Sequence, residues 1–134
     1  MGDEMAARAA VEVFEDHLRL GQQGTVEEDL VRNYADDVVV LTADGVHRGH
    51  DGVRELAKLL DRQLPDATFT YTAQVIAGEV GFLEWTARAA DGTRVEDGAD
   101  SFVIRDGRIR AQTIHYTVKP APGHDPDSGR RSER

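Results

Sequence analysis

Cysteine is absent from the 134 residues. Its absence removes disulfides, a thiol nucleophile and any cysteine-based zinc site. Lysine is nearly absent too: Lys58 and Lys119 are the only two, and every other basic residue is Arg. Positive charge is scarce overall, since 16 Lys and Arg face 25 Asp and Glu and the net charge is −9. Nucleic acid is therefore not an expected partner, because neutralising phosphates requires a basic stripe. No apolar run approaches the ~20 residues that cross a bilayer, so no membrane partner is expected either. The opening Met1-Gly2-Asp3-Glu4-Met5 is acidic, without the basic-then-apolar order of a secretory signal. Gly2 is not followed by the Ser or Thr of a myristoylation signal. Together these absences lead us to expect a cytoplasmic protein.

The chain length suits one domain with one core. From about Asp3 to Leu20, Ala7, Ala10, Val11, Phe14 and Leu18 recur at helical spacing, and Gly21 and Gly24 are expected to end the helix. Thr25 and Glu28 fit a capping box before a short helix carrying Leu30, Val31 and Tyr34. Asp36-Asp37 reads as a turn before the β-branched run Val38–Leu41, and Asp44-Gly45 as another. Asp51 is a candidate cap for a third helix with Val53, Leu56, Ala57, Leu59 and Leu60 on its apolar side.

Beyond Pro65 the period changes to two. Phe69, Tyr71, Ala73 and Val75 alternate with polar residues, as do Leu83, Trp85, Ala87 and Ala89. Segments 95–105 and 108–118 follow, joined by Asp106-Gly107, a strong hairpin signal. These segments predict a four-stranded antiparallel meander. Pro120, Pro122, Gly123, Pro126 and the charged end predict a flexible tail over 119–134, leaving 1–118 as a single α+β domain.

Asp100 has the parity of Phe102 and Ile104, so it is expected on the concave face among apolar side chains. A carboxylate there is either held by donors or has a raised pKa, and either state suits a small-molecule site. Gln112 shares the parity of Tyr116 and adds a neutral polar group. Trp85 and Tyr116 read as large inward residues that flank a flat ligand or fill the core. His17, at the margin of the first helix face, is the candidate partner of Asp100 in proton transfer. His47 and His50 flank Arg48-Gly49, a spacing too weak to predict a metal. Among the strand residues, His115 is expected on the outer sheet face.

The chain resembles the nuclear transport factor 2-like superfamily, in its SnoaL-like and ketosteroid-isomerase-like branch. The resemblance rests on Tyr34–Val40, on Arg48–Leu56, and on Gly98–Phe102 with Arg105–Ile109, and spans roughly Ala6 to Val118. It implies a cone: a curved, mostly antiparallel sheet wrapped around N-terminal helices, dimerising through the outer sheet face. The steroid isomerases of this branch use a carboxylate, a Tyr and a protonated Asp at positions that here read Thr42, Phe14 and Asp100. Only one of the three matches, which disfavours steroid isomerisation. The hydrolase branch wants an Asp-Arg-Asp set, for which Asp100, Arg88 and Arg110 offer pieces, but Arg88 has outward parity.

These readings leave three functions open. One is a cofactor-free isomerase, cyclase or dehydratase acting on an apolar, ring-containing metabolite, with Asp100 and His17 catalytic. In that reading Phe14, Thr42, Trp85, Phe102, Gln112 and Tyr116 bind the ligand, with no metal and no cofactor. The second is a non-catalytic protein holding a small apolar molecule. The third is a homodimeric assembly module with a filled cavity.

Overall fold

Helix α1 spans Ala10–Gln23 and buries Val13, Phe14, Leu18 and Leu20, a stripe at helical spacing turned towards the sheet. The computed structural model describes residues 8–23 and 25–121, so Asp3–Ala7 of the expected helix and Gly24 lie outside it. The stripe differs from the expected one at its start: Val11 is 41% exposed, whereas Val13 is fully buried. Nor does Gly21 end the helix. A Cβ there would stand 2.8 Å from the Tyr71 hydroxyl, so the glycine admits that hydroxyl to the helix surface.

Helix α2 spans Val26–Asn33. Thr25 is its N-cap, but the capping box does not form; Thr25 serves through its carbonyl, which accepts the Asp29 N–H at 3.1 Å. The buried face is also not the expected one. Asp29, Leu30 and Asn33 are buried, while Val31 is 68% exposed and Tyr34 begins the next element.

Strand β1 is Tyr34–Thr42 and β2 is Gly45–Arg48, followed by helix α3, Gly49–Gln63. Asp51 lies inside the first turn of α3 and pairs with Arg54, and Arg48 takes the cap position. The meander is β3 Thr68–Ala77, β4 Val80–Arg88, β5 Arg94–Arg105 and β6 Arg108–His115. The six strands form one open sheet in the order β2-β1-β6-β5-β4-β3. All pairs are antiparallel except β1 with β6. The architecture is the expected α+β arrangement.

The ladders slip at several places, and each slip bends the sheet around the helices. Between Tyr34 and Val39, β1 spends five residues against two of β6, so Asp36 and Asp37 bulge outward within the strand rather than forming a turn. Between Tyr71 and Ala73, β3 gains one residue on β4. The expected alternation therefore breaks: Val75 is 58% exposed, and Ile76 packs against the core instead. Along β5, Asp100, Phe102 and Ile104 are buried as their parity predicts, and Arg105 is exposed. Asp106 and Gly107 both have positive φ, the backbone of the tight hairpin turn. Past β6 the chain stays tied to the sheet, for Lys119 and Arg94 exchange backbone hydrogen bonds of 2.8 and 2.9 Å. Ordered pairing thus continues one residue past the expected domain end, and the tail from Pro122 onward lies outside the described residues.

Candidate functional site

The concave face and the three helices line a half-open cavity of about 1330 Å³. Its inner end is polar. Asp100, from β5, accepts the Trp85 Nε1–H at 2.9 Å on one oxygen and the Gln112 Nε2–H at 3.0 Å on the other. The Gln112 carbonyl in turn accepts the Tyr34 hydroxyl at 2.5 Å. Burial pushes the Asp100 carboxyl above its ordinary range, and the two neutral donors do not offset it. Burial likewise raises the Tyr34 hydroxyl well above 10, with Asp29 and Asp100 adding to the effect.

His17, on α1, lines the same cavity, but its partner is not the expected one. Its Nδ1 donates to Asp29 Oδ2 at 2.7 Å, and no hydrogen bond joins it to Asp100 among the described residues. Burial opposes the imidazolium. The charge and hydrogen bond of Asp29, with Asp100 and Asp16 further off, outweigh it and raise the pKa above the ordinary 6.5. Donation from Nδ1 leaves Nε2 as the exchanging nitrogen. Among the described residues Nε2 has no partner, and Asn33 Oδ1 is the one fully occluded side-chain polar atom lacking one. The His17 side chain as a whole is 14% exposed and belongs to the cavity lining.

Of the residues expected to bind a ligand, Thr42, Trp85, Gln112 and Tyr116 line the cavity. The Trp85 ring lies between Phe69 and Tyr116, with centroids 5.6 and 5.5 Å away. The Tyr116 hydroxyl donates to Gln63 Oε1 at 2.5 Å, and Thr42 Oγ1 lies 3.2 Å from His47 Nε2. Phe14 and Phe102 do not line the cavity. They pack edge to face at 5.5 Å, and Phe102 meets the His17 ring at 5.2 Å, so they back the imidazole from the core side. Helical spacing placed Phe14 inward and strand parity placed Phe102 inward, but the two pack against each other instead of facing the cavity.

Of the remaining candidates, only His115 borders the cavity. His50 Nε2 lies 3.2 Å from the Tyr34 carbonyl, and His115 is exposed beside Asp97 at 3.6 Å. Arg88 is exposed, Arg110 reaches Asp106 and Asp37, and neither lines the cavity, so the Asp-Arg-Asp set is not assembled. Among the described residues no three His, Asp or Glu gather as a metal would require. None of the described helices is long and apolar enough to cross a membrane.

Asp29 was not expected at the site, because it ends the acidic run Glu27-Glu28-Asp29, which reads as a solvated face. The available signal is the spacing Val26, Asp29, Leu30, Asn33: an i, i+3, i+4, i+7 stripe with two polar members. Tyr34, expected beside Leu30 and Val31 on the short second helix, proves to be the donor at the start of the Gln112–Asp100 chain.

A family model described as a SnoaL-like domain matches residues 8–112. No curated protein matches the chain. Solved structures similar to it include a proposed SnoaL-like polyketide cyclase from Mesorhizobium loti, 18% identical, covering 81% of this chain and 100% of that one at a TM-score of 0.64. Another is IdmH, a proposed polyketide cyclase from Streptomyces antibioticus, with 17% identity, 81% and 92% coverage and a TM-score of 0.67. A proposed isomerase of the SnoaL-like family from Agrobacterium tumefaciens has 14% identity, 79% and 98% coverage and a TM-score of 0.64. At these identities the likeness establishes the fold.

Proposed function

The chain belongs to the SnoaL-like family, and from that premise we propose that it is a cofactor-independent acid–base enzyme acting on an uncharged, ring-containing metabolite. The observation that carries the reading is the His17–Asp29 pair opening onto the cavity that also holds the buried Asp100. Asp29 holds the proton on Nδ1 and stabilises the imidazolium, so His17 takes or returns a proton at Nε2. Asp100, with its raised pKa, supplies or holds the second proton, as an isomerase, cyclase or dehydratase needs. Among the described residues the lining includes Asp29, Asp44, Asp61, Asp66 and Asp100 but no Lys or Arg. A carboxylate or phosphate entering it would lose its water and meet a majority of acidic groups, the His17 imidazolium being already paired with Asp29, which supports an uncharged ligand. The cluster of Phe69, Trp85 and Tyr116, rings tilted by 49° at each contact, supports a ring-containing ligand.

The test requires no knowledge of the product. The protein is incubated in D2O with a panel of uncharged cyclic monoketones, whose α-carbons exchange slowly without a catalyst, and mass spectrometry reads deuterium entering carbon above the protein-free rate. We expect exchange in the wild type and its loss in His17→Gln. Compounds that bind without exchange in the wild type favour the non-catalytic reading.

The outer face of the sheet supports a homodimer. Val46, Leu41, Thr113, Ser101, Phe82 and Val75 pair strand by strand into one uncharged row across all six strands. Of these, Leu41, Val46, Val75 and Phe82 are exposed. Val80 and Val103 pair in the row alongside. A second copy covering these rows would remove a continuous apolar patch from water.

A further inference from the structure

Asn33 ends α2 and is completely buried, yet its amide is used on one side only. Its Nδ2 donates to Asp29 Oδ1 at 2.8 Å and to Asp16 Oδ2 at 3.0 Å, while its Oδ1 has no partner among the described residues. An amide placed for stability alone would have both ends satisfied, because an orphaned buried carbonyl is costly. Here both protons go to two carboxylates on neighbouring helices. Asp16 is itself held by Arg32 Nε at 2.8 Å and Arg19 Nη2 at 2.7 Å, with Arg8 at 3.7 Å. The result is a continuous chain from a surface arginine cluster through Asp16, Asn33 and Asp29 to the His17 ring.

We propose that Asn33 is a positioning residue for His17: by anchoring Asp29 Oδ1 it turns Oδ2 to His17 Nδ1, and so fixes which imidazole nitrogen faces the cavity. A carboxylate bonded only to the histidine is free to rotate about χ2. One tied on its other oxygen to a buried amide is not, and the outer hydrogen bond to Asp16 prevents the amide from swinging away in turn. The inference rests on His17 being the proton-transfer group, but its test does not depend on turnover.

The groups facing His17 are Asp16 on its own helix, Asp29 from α2, the Tyr34 ring from β1, and Asp100 and the Phe102 ring from β5. Imidazole 15N NMR of the full chain reads both tautomer and titration midpoint, with the His17 signals assigned from His17→Gln. The wild type is expected to show a single Nδ1–H tautomer above its midpoint. In Asn33→Leu, which removes the amide but keeps the volume, the tautomers should mix and the midpoint should move by about half a pH unit or more, roughly threefold in proton affinity. A folded Asn33→Leu with unchanged tautomer and midpoint overturns the proposal, as does a mixed tautomer in the wild type. If Asn33→Leu does not fold, Asn33→Ala, which also removes both donors, is read in the same way; if neither folds, Asn33 is structural and the proposal falls. Deuterium exchange that survives His17→Gln would end the functional reading while leaving the tautomer result standing, so the two failures are distinguishable.

Discussion

The Trp85 indole lies against the bare backbone of Gly98, its partner across β4 and β5; a Cβ on Gly98 would stand 2.3 Å from the ring. The glycine is what allows the ring to lie flat on the sheet, with Nε1 directed at Asp100 and its flanks at Phe69 and Tyr116. Gly98→Ala should therefore push the indole into the cavity, at a cost of about 1–3 kcal/mol from overpacking. The chain holds a single Trp, so its fluorescence reports the move directly. A variant with wild-type melting and emission would show that the ring has room to spare.

Ligand charge gives a second expectation. Matched naphthalene derivatives, one bearing a methyl ether and one a carboxylate, should quench Trp85 to different extents. The neutral compound should bind at least about tenfold more tightly, about 1.4 kcal/mol. Equal or tighter binding of the carboxylate would contradict the uncharged-ligand reading.

Asp29→Asn tests the pair by pH. The pKa of His17 is raised above 6.5 in the folded state, so the pair stabilises the fold fully below pH 6.5 and loses its effect as pH rises through the folded value. Removing the Asp29 charge leaves burial dominant. Asp29→Asn should then be destabilised most at pH 5.5, by about 3 kcal/mol, and much less at pH 8.5. Thermal melts that shift equally at both pH values would show that the pair carries no proton-linked energy.

Asp100 has the opposite dependence to an ordinary ion-paired carboxylate. Its folded pKa is raised, so its contribution is favourable at low pH and is lost as pH rises from about 3.9 through the folded value. Asp100→Asn should flatten that fall between pH 4 and 7 and leave the fold intact. Near pH 7 two effects compete: the buried charge is removed, but the new amide must face the Gln112 Nε2 donor. The net change should stay within about 1 kcal/mol, while deuterium exchange is lost. A loss of several kcal/mol at pH 7 would instead make Asp100 a structural acceptor.

For the proposed dimer, Phe82→Lys with Leu41→Glu places charge in the central row of the outer face. Light scattering at micromolar concentration should change from dimer to monomer without loss of helicity. A monomeric wild type would dispose of the interface.

The sequence by itself determined the order of elements and the inward parity of Asp100, Phe102, Ile104 and Gln112. Alternation along a strand and the tight turn at Asp106-Gly107 are local properties, so they can be read residue by residue. Tertiary structure decided the rest. The strand slip after Tyr71 that exposes Val75 depends on the neighbouring strand, and a bulge leaves no periodic mark in the chain that carries it. The angle at which α2 meets α1 decided that Asp29, and not Asp100, is bonded to His17. That angle follows from how Leu30 and Val13 bury together with the rest of the core, a property of two helices packed on a curved sheet rather than of either sequence segment.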